Sequence, residues 1–494
     1  MTRHLELRQG VYHDSVTLMQ VSRSVATEPG VTGALVAMAT ELNLDLLAGM
    51  GFESPPDAEP SDLIVAIEVS DDALDGALAR VDAALTERAP VVSSGFGDTP
   101  PARTIGSAAR RFDADLAFVS TPGRYAFADA MDAVESGLSV VVFSDNVPVE
   151  QEVRLKEAAT ERGVLVMGPD CGTAVISGVG LGFANVVRPG PVGMVAASGT
   201  GAQHLMSLLD GAGVGLSHCL GVGGRDLSAA VGARSTLAAL DLLADDAATE
   251  LIVVVSKPPA PEVAAAVRAH AEKLGKPVLF ALLGEGQPDL TAAAESVVIA
   301  AGGTWTEPRW WPAPAERTGD YRFIRGLYAG GTVCDEAMLI VSAALGPVYS
   351  NIPLRPEWAL PGDLRADGHV LIDFGDDTLT QGRPHPMIDS SLRADRIAAE
   401  AADPGCGVLL LDVVLGHGSQ SDPAAELAPA ITEARARAAD DGRDLAVVVA
   451  LIGTGDDPQG LDRQAEALVA AGASVHLSNA AAARKAVELV GGAS

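Results

Sequence analysis

The chain has 494 residues, 48% hydrophobic and 20% charged, and this length and composition predict a globular protein of three or four domains. Its 34 basic and 65 acidic residues give a net charge of −31, which excludes nucleic acid and anionic membranes as partners. No apolar run approaches the roughly 20 residues that span a bilayer, and the start MTRHLELRQG has no apolar signal core, so we expect a cytoplasmic protein.

The first 92 residues predict a small N-terminal α/β unit. Strand-like apolar runs occur at 5–11, 31–38 and 63–69, and helical spacing occurs at 15–25 and 72–85. A stretch rich in Pro and Ser at 91–101 has the composition of a linker and ends the unit.

Residues 93–189 predict a Rossmann-like unit with a parallel sheet. Strand-like runs at 116–119, 138–143 and 164–167 alternate with helical patterns at 124–136 and 149–162, as in βαβ units. Ligands of such sheets bind at the carboxyl ends of the strands. Small or polar residues at these ends are candidates for binding a cofactor that carries phosphate and amide groups: Thr121, Ser144, Asp145, Asn146, Asp170 and Cys171.

A loop of small residues opens a helix in the third predicted unit, residues 190–303. The buried strand 192–197 leads into Ser198-Gly199-Thr200-Gly201, and helical spacing follows at once. Such a turn points free backbone N–H groups and the positive end of the helix dipole at one place. It is either a phosphate or carboxylate site or an ordinary strand-to-helix turn.

The last unit, residues 323–494, follows a connector at 304–322 and has a similar layout. Its apolar strand 408–415 leads into Gly416-His417-Gly418-Ser419, and a helix with Pro423 in its first turn follows. Two strand–loop–helix arrangements in one chain favour anion binding. We therefore predict that Ser198, Gly199, Thr200 and Gly201 hold one face of a phosphate and Gly416, His417, Gly418 and Ser419 the other.

Four further side chains are candidates for acting on the bound anion or its reaction partner. Lys257 follows a buried strand and precedes Pro-Pro, so it is either a counter-charge or a solvated lysine. Arg225 follows a glycine pair and would clamp a carboxylate, unless it forms a surface turn with Asp226. Arg383 and His385 lie in Gly-Arg-Pro-His-Pro, whose prolines either fix both side chains or serve only the backbone.

The four cysteines are widely separated and include no CxxC pair, which predicts reduced thiols and no metal site.

Several motifs resemble known enzymes. The sequences GPDC at 168–171, SGT at 198–200 and GVGG at 221–224 resemble the α subunit of succinyl-CoA synthetase and the NDP-forming acyl-CoA synthetases. The last unit is similar to the carboxy-terminal domain of the β subunit through LIDFGD at 371–376, LDVVLG at 411–416 and LIGT at 451–454. The resemblance to the FdrA group covers nearly the whole chain and rests on YHDSV (12–16), FSDNV (143–147), VMGPDCGT (166–173), ASGTG (197–201), GGRDL (223–227), SKPP (256–259) and GRPHPMID (382–389).

The resemblance implies a multidomain α/β protein. It consists of the small N-terminal unit, a Rossmann-like CoA-binding-type domain and two flavodoxin-like succinyl-CoA-synthetase-type domains. In the ligases the position of Cys171 lies near the thiol end of CoA, and the positions of Asp145 and Asn146 lie near its nucleotide part. Cys171 is either such a contact or a small buried cysteine. FdrA proteins carry the label acyl-CoA synthetase, and members are associated with the oxamate carbamoyltransferase of allantoin catabolism, alongside partner subunits.

One departure from the ligase pattern bears on the reaction. Succinyl-CoA synthetase carries a phosphate on a histidine in a Gly-His-Ala-Gly loop, whereas this chain reads ALLGEG at 281–286 and has no histidine there. Ser256-Lys257 stands where the ligases have the glutamate that orients this histidine. His417 in the second loop is either a surface residue or a phosphate carrier. The sequence therefore predicts that a phosphohistidine relay is absent.

An anion socket without a histidine suits a free acyl phosphate such as carbamoyl phosphate. Transfer of the carbamoyl group to a small carboxylate or amide acceptor, such as oxamate, needs the leaving phosphate to be held by amide donors and a cation. We expect a carbamoyltransferase subunit that forms a hetero-oligomer with other subunits. No cofactor is assigned with certainty; CoA or a nucleotide is the candidate that the ligase resemblance adds.

Two alternatives remain open. One is an acyl-CoA synthetase that uses nucleotide and CoA, and the other is a non-catalytic scaffold that keeps the ligase architecture. The preferred interpretation requires Ser198 and Gly418 to open onto a common pocket.

Overall fold

The structure is a computed structural model that describes residues 2–9, 11, 13, 15–53, 55–56, 58–70, 73–88, 102–314, 321–380 and 384–491. The chain divides into two compact units. The first comprises Met1–Arg103 with Gln381–Pro384, and the second comprises Thr104–Thr380 with His385–Ser494.

The N-terminal unit is a three-stranded antiparallel sheet with helices on both faces. Its elements are β1 (Thr2–Arg8), α1 (Ser15–Ala26), β2 (Val31–Met38), α2 (Glu41–Gly49), β3 (Leu63–Val69) and α3 (Leu74–Arg88). The strand order is β1-β3-β2. Alternate residues of β3 pack under α1 and α3 on one face and beside Leu47 of α2 on the other. This central position explains why β3 is a continuous apolar run rather than an alternating one.

The second unit begins with a small parallel sheet. Its elements are α4 (Ile105–Ala109), β4 (Leu116–Val119), α5 (Gly123–Glu135), β5 (Ser139–Val142), α6 (Val149–Arg162) and β6 (Val166–Met167). The strands lie in the order β4-β5-β6. Ala126, Ala130 and Ala133 give α5 a small-residue face, and this face packs on Val140 and Val142 of the sheet.

A six-stranded sheet follows. Its elements are β7 (Thr173–Ile176), β8 (Val179–Gly182), β9 (Pro189–Ala197), α7 (Gly199–Gly211), β10 (Leu216–Gly221), α8 (Arg234–Asp245), β11 (Leu251–Ser256), α9 (Pro261–Ala271), β12 (Val278–Leu282) and α10 (Leu290–Ala300). The order is β12-β11-β9-β10-β7-β8, and the first four strands are parallel. The hairpin β7-β8 adds to β10 in antiparallel orientation.

A seven-stranded sheet completes the unit. Its elements are β13 (Trp310–Trp311), β14 (Phe323–Tyr328), α11 (Gly331–Leu345), β15 (Val348–Tyr349), a 3₁₀ turn (Pro356–Trp358), β16 (His369–Asp373), α12 (Asp377–Thr380), α13 (Ser391–Ala401), β17 (Cys406–Val414), α14 (Pro423–Asp440), β18 (Ala446–Ile452), α15 (Leu461–Ala470), β19 (Ser474–His476) and α16 (Asn479–Gly491). The order is β13-β19-β18-β17-β14-β16-β15, and only β13 runs antiparallel to its neighbour.

The expected α/β class with several parallel sheets is confirmed, but two of the expected boundaries differ. The hairpin β7-β8 belongs to the six-stranded sheet, so the sheet change falls after β6 and not at residue 189. The expected connector 304–322 contributes β13 to the edge of the last sheet, because Trp310 and Trp311 pair with His476 and Val475. No helix of the described residues has the length and apolar character needed to cross a bilayer.

The six- and seven-stranded sheets meet along a polar seam that fixes their relative position. The Asp457 carboxylate accepts hydrogen bonds from Asn185 Nδ2 at 2.8 Å and from the backbone N–H of Val186 at 2.8 Å. A backbone bridge joins Ala184 to His417. The Asp457 links are buried or half-buried. Since His417 and Asp457 follow the carboxyl ends of β17 and β18, this edge of the seven-stranded sheet faces the six-stranded sheet across the seam.

Candidate anion site between two helix amino ends

The amino end of α7 presents free backbone donors. The buried strand β9 ends at Ala197, and Ser198 caps the helix by accepting a hydrogen bond from the Gly201 N–H at 2.9 Å. The first amides of a helix have no acceptor within the helix. In the described part of the chain no other group accepts from Gly199 or Thr200, so these two N–H groups are available to an anion.

A second helix amino end, that of α11, lies directly against the first. Ser198 Oγ donates to Thr332 Oγ1 at 2.6 Å. The Thr200 side chain fills the space beside Gly330, where an added Cβ would lie 2.6 Å from its hydroxyl oxygen. Only glycine fits at this position without displacing the neighbouring helix. The two positive helix ends therefore converge, and α11 adds the free amides of its own first turn.

A buried ion pair holds the start of α11. The Asp412 carboxylate accepts from the backbone N–H groups of Ala329 at 2.7 Å and Gly330 at 3.0 Å, and from Arg393 at 3.0 Å. Asp412 and Arg393 are almost fully buried. The pair uses the two amides that precede the helix and leaves those of Gly331 and Thr332 for a ligand.

A buried hydroxyl without a partner points to a ligand at this place. Thr173, at the start of β7, is 2% exposed, and its Oγ1 has no hydrogen-bond partner. This oxygen lies 3.5 Å from where a Cβ on Gly199 would be, at the start of α7. Buried hydroxyls are nearly always bonded, so an anion held by the α7 amides would complete both sets of bonds.

Lys257 supplies the positive charge of the site and is surrounded by carboxylates. Its Nζ and Asp170 both lie within van der Waals reach of a side chain on Gly224. The Lys257 charge also acts on two buried carboxyls across the seam, Asp335 and Asp373. Burial raises the pKa of Asp335 to about 7 and that of Asp373 to about 8. Near neutral pH both groups are therefore partly protonated, and a protonated carboxyl donates to an anion instead of repelling it.

Asp170 lies at the solvent-exposed rim of the same site. Crowding by protein atoms raises its pKa, and the nearby Asp377 raises it further. The resulting pKa of about 7 leaves this rim carboxyl only partly ionised at neutral pH.

The remaining predicted residues are placed at different depths. Arg225 is engaged, because its guanidinium bonds Glu152 at 3.0 Å and the Val147 carbonyl at 2.8 Å. His385 lies near the site, with Nε2 2.8 Å from the position of a Cβ on Gly375. Burial lowers the pKa of His385 to about 4, so the ring is neutral. Arg383 lies outside the described residues.

The second predicted cradle, Gly416 to Ser419, begins beside α7, since Gln203 Nε2 donates to the Leu415 carbonyl at 3.4 Å, but its first two amides are already bonded. The N–H of Gly416 donates to Gln459 Oε1 at 3.0 Å, and the N–H of His417 donates to the Ala184 carbonyl at 2.7 Å. The amino end of α14 is already capped by Asp422, whose carboxylate accepts from Ala425 and pairs with Arg463. Two amides of the loop are therefore already bonded inside the protein and the helix end holds a carboxylate, whereas the Ser419 hydroxyl is buried without a partner in the described residues.

The amino end of α11 has the same local sequence pattern as that of α7, although it was not among the predicted sites. The buried strand β14 leads into Ala329-Gly330-Gly331-Thr332, a small-residue turn at a helix start like that of Ser198. The unpartnered Thr173 and the buried carboxyls Asp335 and Asp373 have no comparable signal in the sequence.

The predicted cofactor residues lie at the carboxyl edge of the small parallel sheet. Thr121 is occupied by Asp129 at 3.0 Å, and Ser144 is buried. Asp145 and Asn146 are exposed and have the chemistry to hold the nucleotide part of CoA.

The role that the ligase resemblance implied for Cys171 does not fit the structure. The thiol is buried and donates to the Thr173 carbonyl, and burial raises its pKa to about 12. It is therefore not available to a cofactor.

Comparison with known proteins gives two family matches. Residues 1–100 match the family described as AllF, heavy metal-associated domain, and residues 327–489 match the CoA-ligase family. The protein YahF of Escherichia coli (strain K12) is 39% identical over 96% of this chain and 95% of its own length.

More distant relatives include ligase subunits and solved structures. The α subunit of the ADP-forming succinate–CoA ligase of Methanothermobacter thermautotrophicus is 26% identical over 41% of this chain and 69% of its own length. The dinucleotide-forming acetyl-coenzyme A synthetase 1 of Ca. Korarchaeum cryptofilum, solved with phosphate and ADP, covers 81% of this chain and 89% of its own. It is 16% identical, with a TM-score of 0.31.

The name of the N-terminal family implies a heavy metal, which the residues do not fit. The first 100 residues contain no cysteine and only two histidines, His4 and His13. Among the described residues there is no group of three or more His, Cys, Asp or Glu side chains that could hold an ion.

Proposed function

Since the chain belongs to the same family as Escherichia coli YahF and ends in a CoA-ligase region, we propose that it is an FdrA-type carbamoyltransferase subunit that binds carbamoyl phosphate. The phosphate would lie between the amino ends of α7 and α11. Other carbamoyltransferase subunits would complete a hetero-oligomer, and a small carboxylate or amide would be the acceptor.

The convergence of the two helix ends carries this proposal. Five groups at or beside the contact between these helix ends have no hydrogen-bond partner in the described residues: the amides of Gly199, Thr200, Gly331 and Thr332, and the hydroxyl of Thr173. Oriented backbone dipoles of this kind stabilise a phosphate when it is bound and also as it gains charge on leaving. Lys257 provides the neighbouring cation.

The absence of a carrier histidine favours a free acyl phosphate as substrate. The segment ALLGEG at 281–286 begins in the last two residues of β12 and contains no histidine to carry a phosphoryl group. Direct transfer needs none. The acceptor nitrogen forms a C–N bond with the carbamoyl carbon, the C–O bond to phosphate breaks, phosphate leaves, and the nitrogen gives up one proton.

Calorimetry with carbamoyl phosphate and with inorganic phosphate tests the proposal. Thr173→Val should weaken binding about 10-fold or more, since a hydrogen bond to a charged group is worth about 1.5–3 kcal/mol. Ser419→Ala is the comparison variant: its hydroxyl is also buried and unpartnered, but it belongs to the Gly416 loop and not to β7. Weaker binding in Ser419→Ala with no change in Thr173→Val would contradict the assignment.

An acyl-CoA synthetase is the second candidate, favoured by the CoA-ligase match at 327–489. CoA, if bound, would supply an acyl-accepting thiol, and Asp145 and Asn146 would hold its nucleotide part. Such an enzyme needs a phosphate carrier, and His385 is a candidate because it lies beside Gly375, whose Cβ would also meet the carbonyl of Ala329 just before α11.

Radiolabelled ATP separates the two enzyme candidates. Acid-labile phosphate on the wild type that is lost in His385→Asn would replace the carbamoyltransferase proposal. If neither ATP nor carbamoyl phosphate binds, with or without partner subunits, a scaffold is the better description.

A further inference from the structure

One face of α11 points across the seam toward the six-stranded sheet. Thr332, Asp335 and Leu339 are spaced three and four residues apart and therefore share this face. Thr332 is bonded to Ser198, and Leu339 packs against the hydrophobic core of the six-stranded sheet. Asp335 lies between these two contacts, so its carboxylate is directed into the seam beside the candidate phosphate site.

Asp335 is buried without a partner. It is 7% exposed, and within the described residues it takes part in no hydrogen bond or ion pair. The next residue, Glu336, shows how the fold treats a carboxylate that it needs only for structure. Glu336 is 1% exposed and accepts from the Leu290 N–H at 2.6 Å and from Asn479 Nδ2 at 2.7 Å.

Asp373, the other buried carboxyl at the site, is also partly satisfied. One of its oxygens accepts from the Gly375 N–H at 2.8 Å. A buried carboxylate without a donor is costly, and Asp335 therefore calls for a ligand that supplies one. Lys257 is the cation whose charge acts on it.

We propose that Asp335 binds an N–H group of the carbamoyl acceptor and takes its proton during transfer. The role rests on the proposed function, since it requires carbamoyl phosphate at the two helix ends. One helical turn, about 5.4 Å, separates Asp335 from Gly331 at the helix start, and this spacing leaves room for a carbamoyl group between phosphate and carboxylate. The acceptor is thus a small molecule with a primary amide or amine.

The proton balance of the step is complete. As the nitrogen of the acceptor bonds to the carbamoyl carbon and phosphate departs, the nitrogen proton moves to the Asp335 carboxylate. Asp335 then releases it to solvent at the rim. A base works best when its pKa is close to the working pH, and burial places that of Asp335 at about 7.

The test uses the full chain together with its partner subunits, and two readouts. The first is sulfate binding by calorimetry, which reports the anion site. The second is phosphate release from carbamoyl phosphate that depends on added oxamate or glycine, measured from pH 6 to 9. The variants are Asp335→Asn and the neighbouring control Glu336→Gln.

We expect Asp335→Asn to lose at least about 100-fold in kcat, in the range of general-base contributions, and to lose the acid limb of the pH profile. Its sulfate affinity, compared at pH 6 where the Asp335 carboxyl of the wild type is mostly protonated, should stay within about threefold, since the uncharged amide leaves the helix ends in place. Glu336→Gln should keep the wild-type pH profile. A change in folding alone would alter both variants and would not remove the acid limb selectively.

The outcomes separate this inference from the proposed function. A wild type that binds no sulfate, or binds it without acceptor-dependent turnover, overturns the carbamoyl-transfer proposal and the role of Asp335 with it. A wild type that turns over, with Asp335→Asn equally active and showing the same acid limb, overturns the Asp335 role alone.

Discussion

The buried pair of Arg393 and Asp412 provides a direct test of how the α11 amino end is held. Replacing Arg393 with Met removes three hydrogen bonds, to the Leu327 carbonyl, the Asp412 carbonyl and the Asp412 carboxylate. It also leaves the Asp412 charge buried, because the Asp412 side chain has no exposed surface. The remaining donors to that carboxylate are the amides of Ala329 and Gly330.

The expected cost follows from this burial. Breaking a buried pair by removing one partner costs about 3–5 kcal/mol, whereas an exposed pair is worth about 0–1 kcal/mol. The control Asp462→Asn breaks the exposed pair of Asp462 with Arg309, whose side chains are 61% and 57% exposed, and should change little. The double variant Arg393→Met with Asp412→Asn removes the lone charge and should recover part of the loss.

Urea unfolding followed by tryptophan fluorescence measures the effect where it occurs. All four tryptophans lie between residues 305 and 358, so their emission reports on the region around β13 and β14. With a slope of about 1–3 kcal/mol per molar urea, the midpoint for Arg393→Met should fall by about 1 M or more. A midpoint equal to that of the control, or a double variant as unstable as the single one, would refute the reasoning.

Three further predictions concern the charges and thiols of the site. Sulfate, which does not titrate in this range, should bind more tightly at pH 6 than at pH 8.5. The reason is that Asp335 and Asp373, with pKa values of about 7 and about 8, both gain protons as pH falls. Equal sulfate affinity at both pH values, measured by calorimetry, would contradict this. The folded-state pKa of Asp335 is raised above the ordinary value, so the contribution of this carboxyl to stability is present at acidic pH and is lost as pH rises toward 7. Urea unfolding should therefore show Asp335→Asn to be more stable than the wild type at pH 8.5, on the order of 2 kcal/mol. The difference in unfolding free energy between the two proteins should close by about pH 4. All four cysteines are buried, and burial raises the pKa of Cys171 and Cys406 to about 12. A thiol reagent such as dithionitrobenzoate should therefore titrate four groups in denaturant and essentially none in the native chain. Rapid labelling of Cys171 in the native chain would mean that its pocket opens.

Much of the architecture follows from local pattern. The predicted bounds agree with the structure for the strands at 31–38, 63–69 and 116–119 and for the helix at 149–162. Each of these segments shows alternation with a period of two, a continuous apolar run or a spacing of 3.6 residues, and each ends at Gly, Pro or polar residues. The Ser198 turn was also legible, since a small hydroxyl residue followed by glycine after a buried strand is a local signature of a helix start.

The partner of that turn was not decided by local pattern. The loops at Gly330 and Gly416 both follow buried strands of the same sheet and both contain glycine, so local pattern does not distinguish them. Tertiary structure separates them through side chains that lie far away in the chain. The pair of Asp412 and Arg393 leaves the first amides of α11 free. Gln459 and Ala184, in contrast, accept hydrogen bonds from the amides of Gly416 and His417.

The sequence by itself determined that the chain has several α/β layers and at least one helix end suited to an anion, because backbone propensity and apolar periodicity act over a few residues. Only the tertiary structure decided which donors remain unpaired. Thr173 and Asp335 are ordinary residues in their own segments, and they become candidates because packing buries both of them. The Thr173 hydroxyl has no partner, and no described residue forms a hydrogen bond or ion pair with the Asp335 carboxylate. Whether a polar group is satisfied depends on every residue folded against it, and that is not a local property of the chain.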